Sequence, residues 1–334
     1  MTTYERLVAL EKLGNFLSAI DEAEFSELAD KVRNENTWFT PESVRLALNG
    51  ISRYLDGKKL HQWTASYQAA PSPKKIGVVM AGNIPLAGFH DMLAVWASGH
   101  ILMAKFSSKD SVLPAYLINK LLEIEPRFSQ QVRIESVLRG FDAIIATGSD
   151  NSARYFLEYF GKYPHIIRKN RTSCAVLTGT ETLEQLVLLG KDVFSYFGLG
   201  CRNVSKLFVP EDFDPVRLLG AWKDYTDILH HHKYHNNYDY QKSILLVNRI
   251  PFFDSGFVIL QEDERLVSPI SVVYLERYSS TTQLKERLDS LSEKIQCVVG
   301  IGQDDWVPFG EAQSPDLWDY ADRVDTMKFL QQLS

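Results

Sequence analysis

Cys201 is the residue whose surroundings best suit covalent chemistry. It follows Phe197-Gly198-Leu199-Gly200, and after Arg202-Asn203 the run Val204-Ser205-Lys206-Leu207-Phe208-Val209 reads as an apolar strand. Glycines just before a cysteine let the backbone bend tightly and leave room for a carbon centre to approach sulfur. A thiol on such a turn is a candidate nucleophile. The ordinary alternative is a buried cysteine acting as a small hydrophobe. Upstream, three loops carry groups able to bind or polarise a ligand: Asn83-Ile84-Pro85, Lys105-Phe106-Ser107-Ser108 and Thr147-Gly148-Ser149. Taken singly, each reads more readily as an ordinary turn or helix cap. No GxGxxG occurs, so the usual dinucleotide fingerprint is absent.

These groups need a scaffold, and the hydrophobic pattern describes one. Residues 4–66 read as helices, with Leu7, Leu10, Leu13 and Leu17 at helical spacing and Thr40-Pro41-Glu42-Ser43 as a helix start. The texture then changes to short apolar strands alternating with helices. Strands are predicted at 76–80, 101–104, 133–138 and 143–146, and helices up to Ser98, over 111–124 and over 150–161. The second half continues with strands near 174–178, 204–209, 243–247, 270–275 and 297–301. Its helices are predicted near 181–195, 213–229 and 281–291, with a final helix over 316–332. Such alternation signals a doubly wound parallel α/β sheet, which binds ligands at the carboxyl ends of its strands. Asn83, Lys105 and Gly148-Ser149 all follow strands in that way.

Composition narrows the class. The 334 residues are 45% apolar and 23% charged, ordinary globular values, with a net charge of −6. No basic stripe is available to neutralise phosphates, so nucleic acid is not an expected partner. Three scattered cysteines make no disulfide framework. The opening MTTYERLVALEKLGNFL mixes acids and bases, unlike a signal or transit peptide, and no apolar run reaches the length of a membrane span. The expectation is a cytoplasmic protein.

Taken together and in order, the three loops and Cys201 resemble the aldehyde dehydrogenase superfamily, which carries an Asn-x-Pro loop, a Lys-x-Ser loop, a Thr-Gly-Ser loop and then a nucleophilic cysteine. Ser173-Cys174-Ala175-Val176-Leu177 resembles the strand entering that family's catalytic domain. The phrases FGLGCRNVSKLFVP (197–210), HNNYDYQKSILLVN (235–248) and SPDLWDYADRVDTMKFL (314–330) are similar to the LuxC-type acyl-CoA reductases. The resemblance runs from about residue 70; the N-terminal part is shorter than in typical members. It implies a Rossmann-like doubly wound cofactor domain plus an α/β catalytic domain. Residues 1–172 would form the first, with 305–334 returning to it, and 173–304 the second. It further implies reduction of an acyl-CoA to an aldehyde by NADPH, with NADH as the alternative and coenzyme A as part of the substrate. A homo-oligomer is compatible with it. Cys201 would form the acyl-enzyme, and Asn83 would donate to the oxyanion. Lys105 and Ser107 would hold the adenosine ribose, and Gly148-Ser149 would meet the pyrophosphate at a helix N-terminus.

Two departures sharpen this. Counting back from Ser173 puts Arg168 where hydrolytic members carry a water-activating glutamate, and arginine cannot act as a base near neutral pH. That counts against an ordinary hydrolytic aldehyde dehydrogenase. Second, the position that holds a ribose-binding glutamate in NAD-specific members is Ser108, followed by Lys109. A neutral residue beside a cation suits a 2′-phosphate. A catalytically silent scaffold of the same fold is the remaining rival, and joint retention of Asn83, Lys105 and Cys201 speaks against it.

The histidines His230, His231, His232 and His235 lack the HExxH pattern, and Asn236-Asn237 suggests a turn, so no metal site is assigned. His90 and His165 are candidates for proton transfer, although lone histidines are commonly structural. The aromatic residues Trp222, Tyr225, Tyr234, Tyr238 and Tyr240 suit a core or subunit contact better than an acyl tunnel. Trp318, Tyr320, Val324, Met327 and Leu330 suggest an amphipathic C-terminal helix that docks on the body or on a second subunit.

Overall fold

The computed structural model describes residues 1–68, 70 and 72–333 and shows two compact units, one formed by residues 1–170 with the stretch from Asp316 onward, the other by Arg171–Pro315.

The first unit begins with four helices, α1 (Thr3–Ser18), α2 (Glu22–Glu35), α3 (Pro41–Tyr54) and α4 (Gly57–Thr64). Each starts at an oxygen-bearing N-cap, Thr2, Asp21, Thr40 and Asp56, whose side chain accepts from a first-turn N–H that would otherwise lack a partner. Helix α1 buries Leu7, Leu10, Leu13 and Leu17, the stripe expected from their spacing. Alternation follows: β1 (Lys75–Val79), α5 (Phe89–Ser98), β2 (Ile101–Lys105), α6 (Val112–Ile124), β3 (Val132–Ile134), β4 (Ala143–Thr147), α7 (Asp150–Phe160) and β5 (His165–Arg168). The sheet order is β3-β2-β1-β4-β5, every pairing parallel. This is the Rossmann-like order, and it places the topological switch between β1 and β4. The middle residues of β1 and β2 are buried, as a strand covered on both faces requires.

The second unit contains β6 (Thr172–Val176), α8 (Leu183–Phe194), β7 (Val204–Pro210), α9 (Val216–Ala221), α10 (His232–Val247), β8 (Phe253–Asp254), β9 (Ile259–Glu262), β10 (Val272–Tyr278), α11 (Thr281–Leu291) and β11 (Ile295–Val299). Its sheet runs β11-β6-β7-β10-β9-β8, parallel except for the edge pair β8–β9. Trp222, Tyr234 and Tyr238 are core residues of this unit, whereas Tyr240 is exposed. The chain then returns to the first unit with α12 (Thr326–Gln331), where Met327 and Leu330 enter the core. Among the described residues no helix is long and apolar enough to cross a membrane.

Five expectations change. The strand placed at 243–247 is the last turn of α10: Leu245 is buried while Leu246 and Val247 are exposed, a one-sided helical burial. Asn236-Asn237 lies inside the same helix, and the Asn237 Nδ2 donates to the Lys233 carbonyl at 2.8 Å rather than forming a turn. The helix expected over 316–332 shrinks to α12, because Asp322 and Arg323 take left-handed φ values of 59° and break it. Strand 133–138 is cut to β3, and 213–229 divides into α9 and a 3-10 segment, Lys223–His230.

Candidate active site

In the first unit, the loops after β2, β1 and β4 emerge side by side at one edge of the sheet, because those strands are neighbours in that order. Asn83 is exposed on the β1 loop. Lys105 ends β2, Ser107 is half-buried, and Ser108 and Lys109 are exposed. The Ser107 Oγ accepts from the Lys109 N–H at 3.2 Å and so closes a tight turn. A Cβ on Gly82 would lie 2.5 Å from Ser107 Oγ, so only glycine lets the first two loops approach this closely. Ser149 caps α7, accepting from the Ser152 N–H at 3.2 Å. Gly148 is equally constrained, since a Cβ there would fall 2.8 Å from that of Ser152.

Asp110 ties the first two loops together. It is buried, and its Oδ2 accepts from the Leu86 N–H at 2.7 Å. Leu86 adopts a left-handed φ of 59°, which costs a non-glycine residue roughly 1–2 kcal/mol. Its other oxygen, Oδ1, has no hydrogen-bond partner among the described residues. Burial pushes the carboxyl up to about 7, against the Leu86 N–H, while Glu35 pushes the same way as burial.

In the second unit, Cys201 sits on the turn between α8 and β7. It is exposed, whereas Cys174 and Cys297 are buried. Three consecutive residues before it, Tyr196, Phe197 and Gly198, have left-handed φ values of 51°, 59° and 77°. Only the last is free of a Cβ penalty, so the surroundings must hold this conformation. Asn203 does so. Its Oδ1 accepts from the Gly200 N–H at 2.7 Å, and its Nδ2 donates to the Asp192, Val193 and Ser195 carbonyls at 3.0, 3.3 and 2.8 Å. Ser173 on β6 donates to the Cys201 carbonyl at 3.1 Å, and Arg202 Nε to the Ala312 carbonyl at 2.5 Å. Asp192 fastens the other side, accepting from the Gly310 N–H at 2.6 Å and the Ala312 N–H at 2.9 Å. Burial raises its carboxyl to about 6, and the two N–H groups oppose the rise. Burial also pushes the Cys174 thiol well up, which keeps that sulfur protonated.

A small crevice, partly open to solvent, adjoins this turn and is lined by Phe197, Gly198, Val193, Val204, Tyr234 and Ile270. The Phe197 ring packs 4.4 Å from that of His231, which caps α10 through the Tyr234 N–H. His235 pairs with Asp239 at 3.5 Å. His90 lies in a nest of Tyr54, Trp63 and Tyr320, its Nε2 2.9 Å from the Leu317 carbonyl, and burial lowers its basicity. His165 Nδ1 lies 2.8 Å from the Tyr163 carbonyl.

Arg168 closes β5 in the first unit. It is buried and pairs with Asp91 on α5 at 2.7 Å, and the same Nη2 donates to the Thr326 hydroxyl of α12 at 2.9 Å. The side chain therefore serves as a buried structural cation.

Of the residues expected from sequence, the first unit brings together Asn83, Lys105, Ser107, Ser108, Lys109, Gly148 and Ser149, and the second carries Cys201. Asp110, Asn203 and Asp192 escape a reading of the sequence. Only the placement of Asn203 two residues beyond the cysteine offered a signal.

No family model and no curated protein matches this chain. Solved structures do. A candidate aldehyde dehydrogenase from Burkholderia cenocepacia superposes with a TM-score of 0.68 at 13% identity, over 91% of this chain and 75% of that one. An NADP-dependent enzyme from E. coli gives 0.66 at 12% identity, over 91% and 74%. The aldehyde dehydrogenase of Bacillus cereus in its NAD+ complex gives 0.64 at 16% identity, over 91% and 72%. At such identities the likeness is one of architecture. The chain has an aldehyde-dehydrogenase-like fold, a Rossmann-like sheet unit joined to a second α/β unit.

Proposed function

We propose that this chain is a nicotinamide-dependent oxidoreductase working at the aldehyde level, and more narrowly that it reduces an acyl-CoA thioester to an aldehyde through an acyl-Cys201 intermediate. The observation that carries this is the exposure of Cys201, alone of the three cysteines, on a strained turn pinned by Asn203. A nucleophile just beyond residues that their neighbours hold in an unfavourable backbone conformation is pre-positioned for attack.

The Cys201 sulfur attacks the thioester carbonyl carbon and an oxyanion forms, for which the resemblance assigns the Asn83 amide as a donor. The bond to the coenzyme A sulfur breaks, and coenzyme A departs as the thiol. Addition of hydride to the acyl carbon, followed by cleavage from Cys201, releases the aldehyde. In total one hydride and one proton convert the thioester into aldehyde and free coenzyme A. Arg168 favours this course over hydrolysis, since a buried, ion-paired guanidinium cannot take a proton from water.

Reduced nicotinamide supplies the hydride when bound. The sheet edge suits such a nucleotide: residues 105–109 bring hydroxyls and two lysines with no carboxylate, and Gly82 lets that stretch pack close against the loop after β1. Lys105 and Ser107 would hold the ribose, Gly148 and Ser149 the pyrophosphate, and Ser108 with Lys109 a 2′-phosphate, hence NADPH.

Mass spectrometry of the protein mixed with acyl-CoAs of several chain lengths, without nucleotide, tests the reading. An acyl adduct on Cys201 is expected. An adduct confined to Cys174 or Cys297, or none at any chain length, rejects it.

A further inference from the structure

We infer that Asp110 is the positioning residue for the Asn83 loop, acting through its hydrogen bond to Leu86. The inference rests on the proposed role of Asn83 as an oxyanion donor. Four observations lead to it.

The carboxylate is buried, yet only Oδ2 has a partner, the Leu86 N–H at 2.7 Å, while Oδ1 has none among the described residues. A buried carboxyl with a single partner is costly to keep, and the cost is offset by whatever that partner gains. The partner is a residue in left-handed backbone that needs an external hold. Leu86 lies three residues beyond Asn83 in the same loop, where its carbonyl accepts from the Phe89 N–H at 3.0 Å at the start of α5, so the bond fixes the far side of that loop. The turn carrying Ser107, Ser108 and Lys109 is held differently. It is closed by the Asp110 N–H to the Ser107 carbonyl at 3.2 Å and by the Ser107 hydroxyl, and Asn36 Nδ2 supports it by donating to the Lys109 carbonyl at 3.2 Å. None of these uses the Asp110 carboxylate. Removing that carboxylate should release the Asn83 loop and leave the neighbouring loop in place.

The test is single-turnover acylation of Cys201 by acyl-CoA without nucleotide, alongside fluorescence titration of NADPH, on the full chain. Asp110→Ala should slow acylation by about tenfold to a hundredfold, the range that displacement of a reacting group by an ångström produces. NADPH affinity should stay at the wild-type value. Asp110→Asn keeps an oxygen for the Leu86 N–H and should restore acylation. Asn83→Ala with Asp110→Ala should be no slower than Asn83→Ala alone, because residues acting through one another do not add. Asp110→Ser serves the same comparison should the alanine variant not fold. If Asp110→Ala acylates at the wild-type rate while Asn83→Ala is slow, the inference fails alone. Full additivity of the two, or failure of Asp110→Asn to fold or to restore the rate, also overturns it. If Asn83→Ala itself acylates normally, the parent reading of Asn83 falls and takes the inference with it.

Discussion

Each unit fixes a loop with a buried aspartate, and the two aspartates are wired differently. Asp110 in the first unit uses one oxygen, on Leu86, and leaves the other without a hydrogen bond among the described residues. Asp192 in the second uses both, on Gly310 and Ala312, and its own backbone carbonyl receives a hydrogen bond from Asn203. Burial raises both carboxyls, to about 7 for the first and about 6 for the second. Each N–H aimed at a carboxylate favours the ionised form and offsets desolvation, and one such N–H opposes burial at Asp110 where two do at Asp192. An aspartate that holds its loop through one bond loses its whole hold when that bond is lost. A turn held by Asn203, Ser173, Arg202 and Asp192 together shares the strain of two left-handed residues, Tyr196 and Phe197.

The largest expected effect tests the turn itself. Cys201→Ala should abolish both the acyl adduct and aldehyde formation, whereas Cys174→Ala, at a buried sulfur, should retain them. Survival of turnover in Cys201→Ala would make the strained turn a structural feature. Next comes Asn203→Ala, which strips partners from the Gly200 N–H and from three carbonyls. Leaving even one such buried group unsatisfied costs about 1–3 kcal/mol. Denaturant unfolding should show that loss, and acylation should slow further than stability alone explains. Asp192→Ala should harm acylation less than Asp110→Ala does, since Asn203, Ser173 and Arg202 remain. The reverse ranking would break the contrast between the two units.

The sequence made the frame of both units legible and hid what stiffens it. Strands β1, β2 and β4 appear as short apolar runs followed by glycine, asparagine or serine, so the sheet edge and its three loops could be placed in advance. Ile244-Leu245-Leu246-Val247 misled because a four-residue apolar run has no periodicity to separate strand from helix. Only its attachment to the polar stretch before it makes it helical. The region 316–332 misled for the opposite reason: its apolar spacing is helical, but Asp322 and Arg323 adopt left-handed backbone that spacing cannot reveal. Asp110 and Asp192 were passed over because a charged residue reads as solvated. Their burial is a tertiary fact, visible only once Leu86, Gly310 and Ala312 are brought to them.

A smaller effect is expected at the loop that the Asp110 carboxylate does not hold. Ser108→Glu places a carboxylate beside Lys109, where a 2′-phosphate would be repelled and ribose hydroxyls accepted. Preference should move from NADPH toward NADH by roughly tenfold, the scale of one charge-assisted contact. The ratio of kcat/KM for the two nucleotides measures it. If the wild type already prefers NADH and Lys109→Ala alters neither constant, this loop does not read the 2′-position.

The least effect on turnover, and the sharpest on the comparison, belongs to the pH dependence of stability at Asp192. Its carboxyl is raised in the folded chain from an ordinary value of 3.8 to about 6. Between those values the folded state binds a proton that the unfolded state has released, so this group stabilises the fold at the acid end. That contribution is complete below pH 4 and disappears as pH rises through 6. At about 1.4 kcal/mol per pKa unit it amounts to no more than about 3 kcal/mol. Asp192→Asn removes the titration but offers one acceptor oxygen to two N–H donors, so the variant is less stable than wild type at pH 5. Urea unfolding at pH 5, 6, 7 and 8 at constant ionic strength should show that gap narrowing as pH rises, because only the wild type acquires a buried charge. A gap that stays constant instead would mean that the two N–H groups outweigh desolvation and hold Asp192 ionised throughout. The two aspartates would then differ in kind, with Asp192 a permanent anion and Asp110 the one that titrates.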